Sequence, residues 1–173
     1  MRGFLAALSF SLLATLALPG CRSSNECSAG GLCACSGGHE CYLDCNGDGC
    51  NQSCSSMDSC GTVCQSGCSS TCSGTSECSQ YCAGNCSIAC SGTPTCGIIC
   101  GAGCNIDCRN AGTCGVQVGP GSTVNCQSVG QCVVECSGQC VITHGDGPMI
   151  TCVGGGAVLD CSPGVSACGA CPT

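Results

Sequence analysis

The sequence predicts an all-β fold: a thin, two-sided parallel β-solenoid of about seven 18-residue coils around an internal disulfide core. Three observations predict it. Cysteines recur in a fixed frame, the positions midway between them are mostly aliphatic, and turn-forming residues separate the cysteine pairs.

The frame comes first. Cysteines stand at 60, 64, 68 and 72, then at 78, 82, 86 and 90, then at 96, 100, 104 and 108. Steps of 4, 4, 4 and 6 give a period of 18. The frame continues through Cys114, Cys126, Cys132, Cys136 and Cys140, and backwards through Cys54, Cys50, Cys45 and Cys41 with one extra residue. A fixed period over several copies marks a solenoid, where each unit buries its inner face only by stacking on the next.

Within a period the chain reads as two five-residue arms, each Cys-x-x-x-Cys. Alternate residues of a strand share a face, so two inward cysteines require an inward middle residue. First-arm middles are Thr62, Gln80, Ile98, Val116 and Val134; second-arm middles are Ser70, Ile88, Ile106, Val124 and Ile142. Seven of these ten are aliphatic, which the periodicity demands of a core. A helix would scatter them, and 29 glycines oppose one. Short turns such as Gly101-Ala102-Gly103 join the arms, and longer ones such as Ser91-Gly92-Thr93-Pro94-Thr95 join the coils. The body is then roughly 35 Å long at about 4.8 Å per coil.

Facing arms allow two pairing schemes. Both bridge the short turn: Cys45–Cys50, Cys64–Cys68, Cys82–Cys86, Cys100–Cys104 and Cys136–Cys140. One scheme then closes each coil on itself, for example Cys60 with Cys72. The other bridges the longer turn: Cys35–Cys41, Cys54–Cys60, Cys72–Cys78, Cys90–Cys96, Cys108–Cys114 and Cys126–Cys132. The frame lacks cysteines at Val118 and Ser122, partners across a short turn, and at His144 and Ile150, partners across a long one. Loss of position 144 would strand Cys132 in the closed-coil scheme and strands nothing in the other. Long-turn bridging is therefore expected, leaving Cys27–Cys33, Cys152–Cys161 and Cys168–Cys171.

Composition sets the compartment. The chain has 173 residues, 29 cysteines, no tryptophan and no lysine. Cysteine above roughly 8–10% marks a disulfide scaffold where the surroundings are oxidising. Met1-Arg2-Gly3 followed by an uncharged apolar run, Phe4 to Leu18, reads as a secretory signal, being shorter than the roughly 20 residues that span a bilayer. Residues 1–20 are the expected signal peptide, 21–26 a lipidated Cys21 and short tether, 27–162 the solenoid, and 163–173 a tail closed by a disulfide. Removing Cys21 leaves 28 cysteines, an even number. Beyond the signal, Arg22 and Arg109 face ten carboxylates. A basic patch is impossible, which excludes nucleic acid as a partner, and anionic lipid would not attract the chain electrostatically.

Some motifs suggest chemistry. Asp44, Asn46 and Asp48 match half of a calcium-binding loop, but position twelve is Ser55 and no flanking helices are plausible, so a polar turn is expected. Cys168-Gly169-Ala170-Cys171 has redox-motif spacing without a βαβ context, and reads as a tail bridge. His39 and His144 are too few for a zinc cluster among these thiols. His144 occupies a cysteine position and is expected to point inward beside Ile150, as a satisfied or end-capping residue. No catalytic residue, metal or cofactor is expected.

Leu18-Pro19-Gly20-Cys21 resembles the bacterial lipobox, and with the repeat the chain resembles the cysteine-rich repeat lipoproteins of bacterial envelopes. The resemblance implies cleavage before Cys21 and its lipidation, with acyl chains as the membrane partner. Arg22 after the cysteine, by the rule known for enteric bacteria, implies the outer membrane. The alternative is a secreted protein cut near Gly20, with Cys21 an ordinary thiol. The architecture is also similar to the disulfide-braced β-helices of insect antifreeze proteins, without their Thr-x-Thr ladder. The expectation is a non-enzymatic structural or adhesive envelope module. The alternative is a solenoid binding glycan, ion or ice through small polar residues on one sheet face, such as Ser69, Thr71, Asn105, Asp107, Thr123 and Asn125.

Overall fold

The computed structural model describes residues 23–153 and 156–172. The expected signal segment and Cys21 lie outside the described residues. The chain forms a β-solenoid of about seven turns with no helix among the described residues. One face is built from first arms: β1 (Ser23–Ser28), β5 (Glu77–Gly84), β7 (Thr95–Ala102), β9 (Thr113–Val118), β11 (Gln131–Ser137) and β13 (Met149–Val153). The other is built from second arms: β4 (Ser69–Ser73), β6 (Ser87–Ser91), β8 (Asn105–Arg109), β10 (Ser122–Cys126) and β12 (Cys140–His144). Two long strands, β2 (Leu32–Asn46) and β3 (Asn51–Ser66), run through the longer turn and belong to both faces.

The repeat becomes a ladder register. Cys60 pairs with Cys78, Cys78 with Cys96, Cys96 with Cys114 and Cys114 with Cys132, all in parallel strands. Between β2 and β3 the offset is 19, Cys41 against Cys60, which absorbs the extra residue of the Cys45–Cys50 turn. Equivalent turn positions share a conformation: Ser56, Gly74, Gly92, Asn110 and Ser128 all have φ between 52° and 60°. Two of these are glycine and one is asparagine, the residues that accept the left-handed region most readily.

All ten arm middles are buried, and Leu43 and Gln52 extend the two columns backwards. The aliphatic members Ile88, Ile98, Ile106, Val116, Val124, Val134 and Ile142 are at most 2% exposed. The polar members are satisfied mainly by one another. Thr62 Oγ1 lies 2.9 Å from Ser70 Oγ, and Gln80 Nε2 donates to Ser70 Oγ at 3.0 Å. Gln52 Nε2 donates to the carbonyls of Leu43 and Val63. Gln52 Oε1 and Gln80 Oε1 are buried without a partner. A buried unpartnered acceptor costs about 1–3 kcal/mol. Gln80→Ile, matching Ile98 one coil later, is expected to raise stability by about 1 kcal/mol, since Ser70 keeps Thr62. Thermal unfolding should show a midpoint higher by a few degrees. Gln52→Ile should bring no such gain, because it orphans two carbonyls.

Fourteen disulfides line the interior and ends. The first twelve, Cys27–Cys33 through Cys136–Cys140, bridge short and longer turns in the expected pairs, with Cα separations of 6.0–6.6 Å.

The two ends depart from expectation. The last bridges are Cys152–Cys168 and Cys161–Cys171, not Cys152–Cys161 and Cys168–Cys171. The parallel winding stops at β13, and β14 (Val158–Ser162) and β15 (Val165–Cys168) form an antiparallel hairpin. Pro163 and Gly164, the latter with φ of 74°, supply its turn. β15 docks antiparallel on β12, setting Cys168 opposite Cys140 and within reach of Cys152. The solenoid thus does not run on to 162; the hairpin covers the edge of the second-arm face, which would otherwise offer unpaired backbone groups. At the other end, β1 starts at Ser23 and pairs with residues 41–46 of β2. The expected tether from Arg22 to Glu26 is therefore mostly strand.

Candidate functional site

Neighbouring strands stack each outward position into a column along the solenoid axis. On the second-arm face the columns are the expected small polar ones. Ser69 stacks on Ser87 and Asn105, and Thr71 on Ala89 and Asp107. Their side chains bind one another across coils. Thr123 donates to Asn105 at 3.0 Å and Asn125 donates to Asp107 at 3.1 Å, while within β8 Arg109 donates to Asp107 at 2.7 Å.

The first-arm face differs, and its character was not expected. Its central column holds small residues: Gly61, Ser79, Gly97 and Gly115 in successive coils. Tyr42 ends that column, and its ring lies over Gly61, whose added Cβ would stand 2.8 Å from Tyr42 Cδ2. One flanking column is apolar in its middle, with Val63, Tyr81 and Ile99 in register between Asp44 at one end and Gln117 and Glu135 at the other. Tyr81 and Ile99 are 48% and 50% exposed. The other flank, by strand alternation, is polar: Ser59, Glu77, Thr95, Thr113 and Gln131. Between the small column and the apolar flank runs a groove of about 500 Å³. Every outward position looks ordinary alone. The strip appears only when Val63, Tyr81 and Ile99 are superposed at the 18-residue period, a signal present in the sequence.

Polar clusters elsewhere read as structure. His144 Nε2 lies 2.9 Å from Ser166 Oγ, its Nδ1 lies 2.6 Å from the Gly145 carbonyl, and Ser166 Oγ donates to Asp160 Oδ1 at 3.1 Å. An activated nucleophile needs an exposed hydroxyl and a carboxylate that orients the imidazole. Here the carboxylate meets the hydroxyl, and Ser166 is 2% exposed. The chain of contacts ties β12 to β15 and β14, so His144 is satisfied at the end of the stack, half-buried at its edge rather than enclosed in the interior as expected. His39 Nδ1 meets Asp58 Oδ2 at 2.6 Å on the surface, between consecutive longer turns. Exposed pairs of this kind contribute little.

The Asp44-Asn46-Asp48 segment is a stacked turn: Gly47 N–H bonds Cys45, Gly30 N–H bonds Asp48, and Gly49 N–H bonds Ser66. Among the described residues, the groups close enough to share a metal are sulfurs only, such as Cys60, Cys72 and Cys78 within 4.8 Å of one another. Those sulfurs all belong to bridges. Their closeness reports how tightly bridges of adjacent coils stack. Comparison with protein-family models, with curated proteins and with solved structures finds no match for this chain.

Proposed function

We propose that the protein is an exported lipoprotein, held in the bacterial envelope by acyl chains on Cys21, serving as a rigid structural or adhesive module. Fourteen bridges belong to an oxidising, exported compartment. The observation that carries the reading is that Ser23 already lies in a strand, paired with β2. At most one residue, Arg22, then stands between Cys21 and a strand. A tether that short couples the orientation of a stiff rod to the membrane surface, where a longer one would let it tumble. The coils supply stiffness, since each is bonded above and below and stitched across its turns. The alternative, ligand binding through the small polar ladder, gains no support from that face, whose side chains are partly occupied by one another.

Intact mass of protein from a bacterial host tests the reading. The expected mature chain begins at Cys21, carries an acylated glyceryl group, and gains 28 hydrogens on reduction, two per bridge. Cys21→Ser should move the protein from the detergent phase to the aqueous one. An unmodified chain cut elsewhere, or a Cys21→Ser variant that stays with membranes, would refute the anchor.

A further inference from the structure

The geometry points to a binding site for an uncharged, extended β-linked glycan along the groove of the first-arm face, a role beyond that of a rod. Four features of the groove select this occupant. It is long and straight, from Tyr42 to Val133 across five coil steps, or about 24 Å at about 4.8 Å per step. A linear polymer fits such a shape better than a compact small molecule does.

Its two sides differ in chemistry. Val63, Tyr81 and Ile99 line one side, and across the small floor column the next outward column, Glu77, Thr95, Thr113 and Gln131, is polar. A pyranose ring has the same division, with C–H groups on its faces and hydroxyls at its edge. An acyl chain would leave the polar flank unmatched. Tyr42 and Tyr81 are 45% and 48% exposed, and aromatic rings of this kind offer a face for such C–H groups and a hydroxyl at the tip.

Charge selects further. Glu135 lines the groove and Glu77 stands in the outward column beside its floor, whereas Arg109 lies on β8 of the opposite face. Polyanions are repelled, and hydroxyl donors find acceptors.

The step of the ladder is the last feature. Contacts recur with each coil, about 4.8 Å apart, which is close to one sugar residue of an extended β-1,4 chain. An extended peptide advances about 3.3 Å per residue and falls out of register. Peptides also add to sheet edges, through backbone hydrogen bonds a sheet face cannot offer.

The glycine floor permits a clean test. A Cβ on Gly97 or Gly115 would meet nothing closer than 3.9 Å, and neither residue has positive φ. Valine at both fills the groove while suiting a strand. Cellohexaose and chitohexaose serve as probes in titration calorimetry with the oxidised protein, and polygalacturonate as the anionic comparison. At least one neutral probe is expected to bind and polygalacturonate is not. Tyr81→Ala should weaken binding roughly tenfold. The Gly97→Val, Gly115→Val pair should abolish it, and Asn105→Ala on the opposite face should leave it unchanged. Each variant's intact mass before and after reduction confirms that all bridges have formed. Absence of binding by both neutral probes overturns the proposal. So does undiminished binding by the valine pair, loss in Asn105→Ala, or preference for polygalacturonate. None of these outcomes depends on acylation of Cys21.

Discussion

Reduction of the disulfides is expected to unfold the protein completely at ordinary temperature, while the oxidised protein resists heating. The interior explains why. Its aliphatic side chains form one narrow file from each sheet, Ile106 facing Ile98 and Val124 facing Val116, with sulfur on either side. Among the described residues, no aromatic ring belongs to the buried core. Each short loop closed by a bridge removes about 2 kcal/mol of unfolded-state entropy, and the contributions are not strictly additive. A reduced chain would have to hold the same coils with small side chains and parallel pairing alone. Circular dichroism and limited proteolysis, with and without a strong reductant, check the expectation. A reduced chain that kept its strand signal and its protease resistance would show that the ladders suffice alone. Reduction should begin at Cys161–Cys171, where Cys171 is exposed, and reach the buried bridges such as Cys54–Cys60 later.

Much of this architecture was legible because its determinants are local and repeated. Twelve pairings follow from turn length and from cysteines that vanish two at a time. The gap at Val118 and Ser122 shows how a coil manages without a stitch. Val118 is 3% exposed, and Ser122 Oγ accepts from Cys104 N–H at 3.1 Å. What was not legible depends on non-local choices. After Cys140 the cysteines leave the frame, and spacing alone favoured the nearest partners. Pro163-Gly164 signals a reversal, but the sheet edge that receives the returning strand is set by where the stack ends. The same holds at the start: Ser23 to Glu26 carry no cysteine and no aliphatic, yet the edge of β2 recruits them. The apolar strip escaped for another reason. Its members lie 18 residues apart among polar neighbours, and Tyr42 comes to stand beside the strip, at the head of the small column, only through the 19-residue coil.

The stacking of bridges makes a lone cysteine worse than none. Cys78→Ser is expected to scramble the bridges near the middle of the rod, whereas Cys72→Ser with Cys78→Ser leaves the other thirteen in place. In the single variant, Cys72 is a free thiol whose sulfur stands within 4.8 Å of Cys60. Its thiolate can attack Cys60 Sγ, forming Cys60–Cys72 and releasing Cys54 as a thiolate. That product is the closed-coil bridge the native frame avoids. The displaced Cys54 carries the exchange onward in turn. In the double variant no thiolate exists to start it, and the loss is confined to one stitch, about 2 kcal/mol. Peptide mapping after alkylation separates the outcomes. The single variant should yield a Cys60–Cys72 peptide and label on Cys54; the double should yield neither. A single variant labelled only at Cys72 would mean that neighbouring bridges, although close, do not exchange within the folded stack.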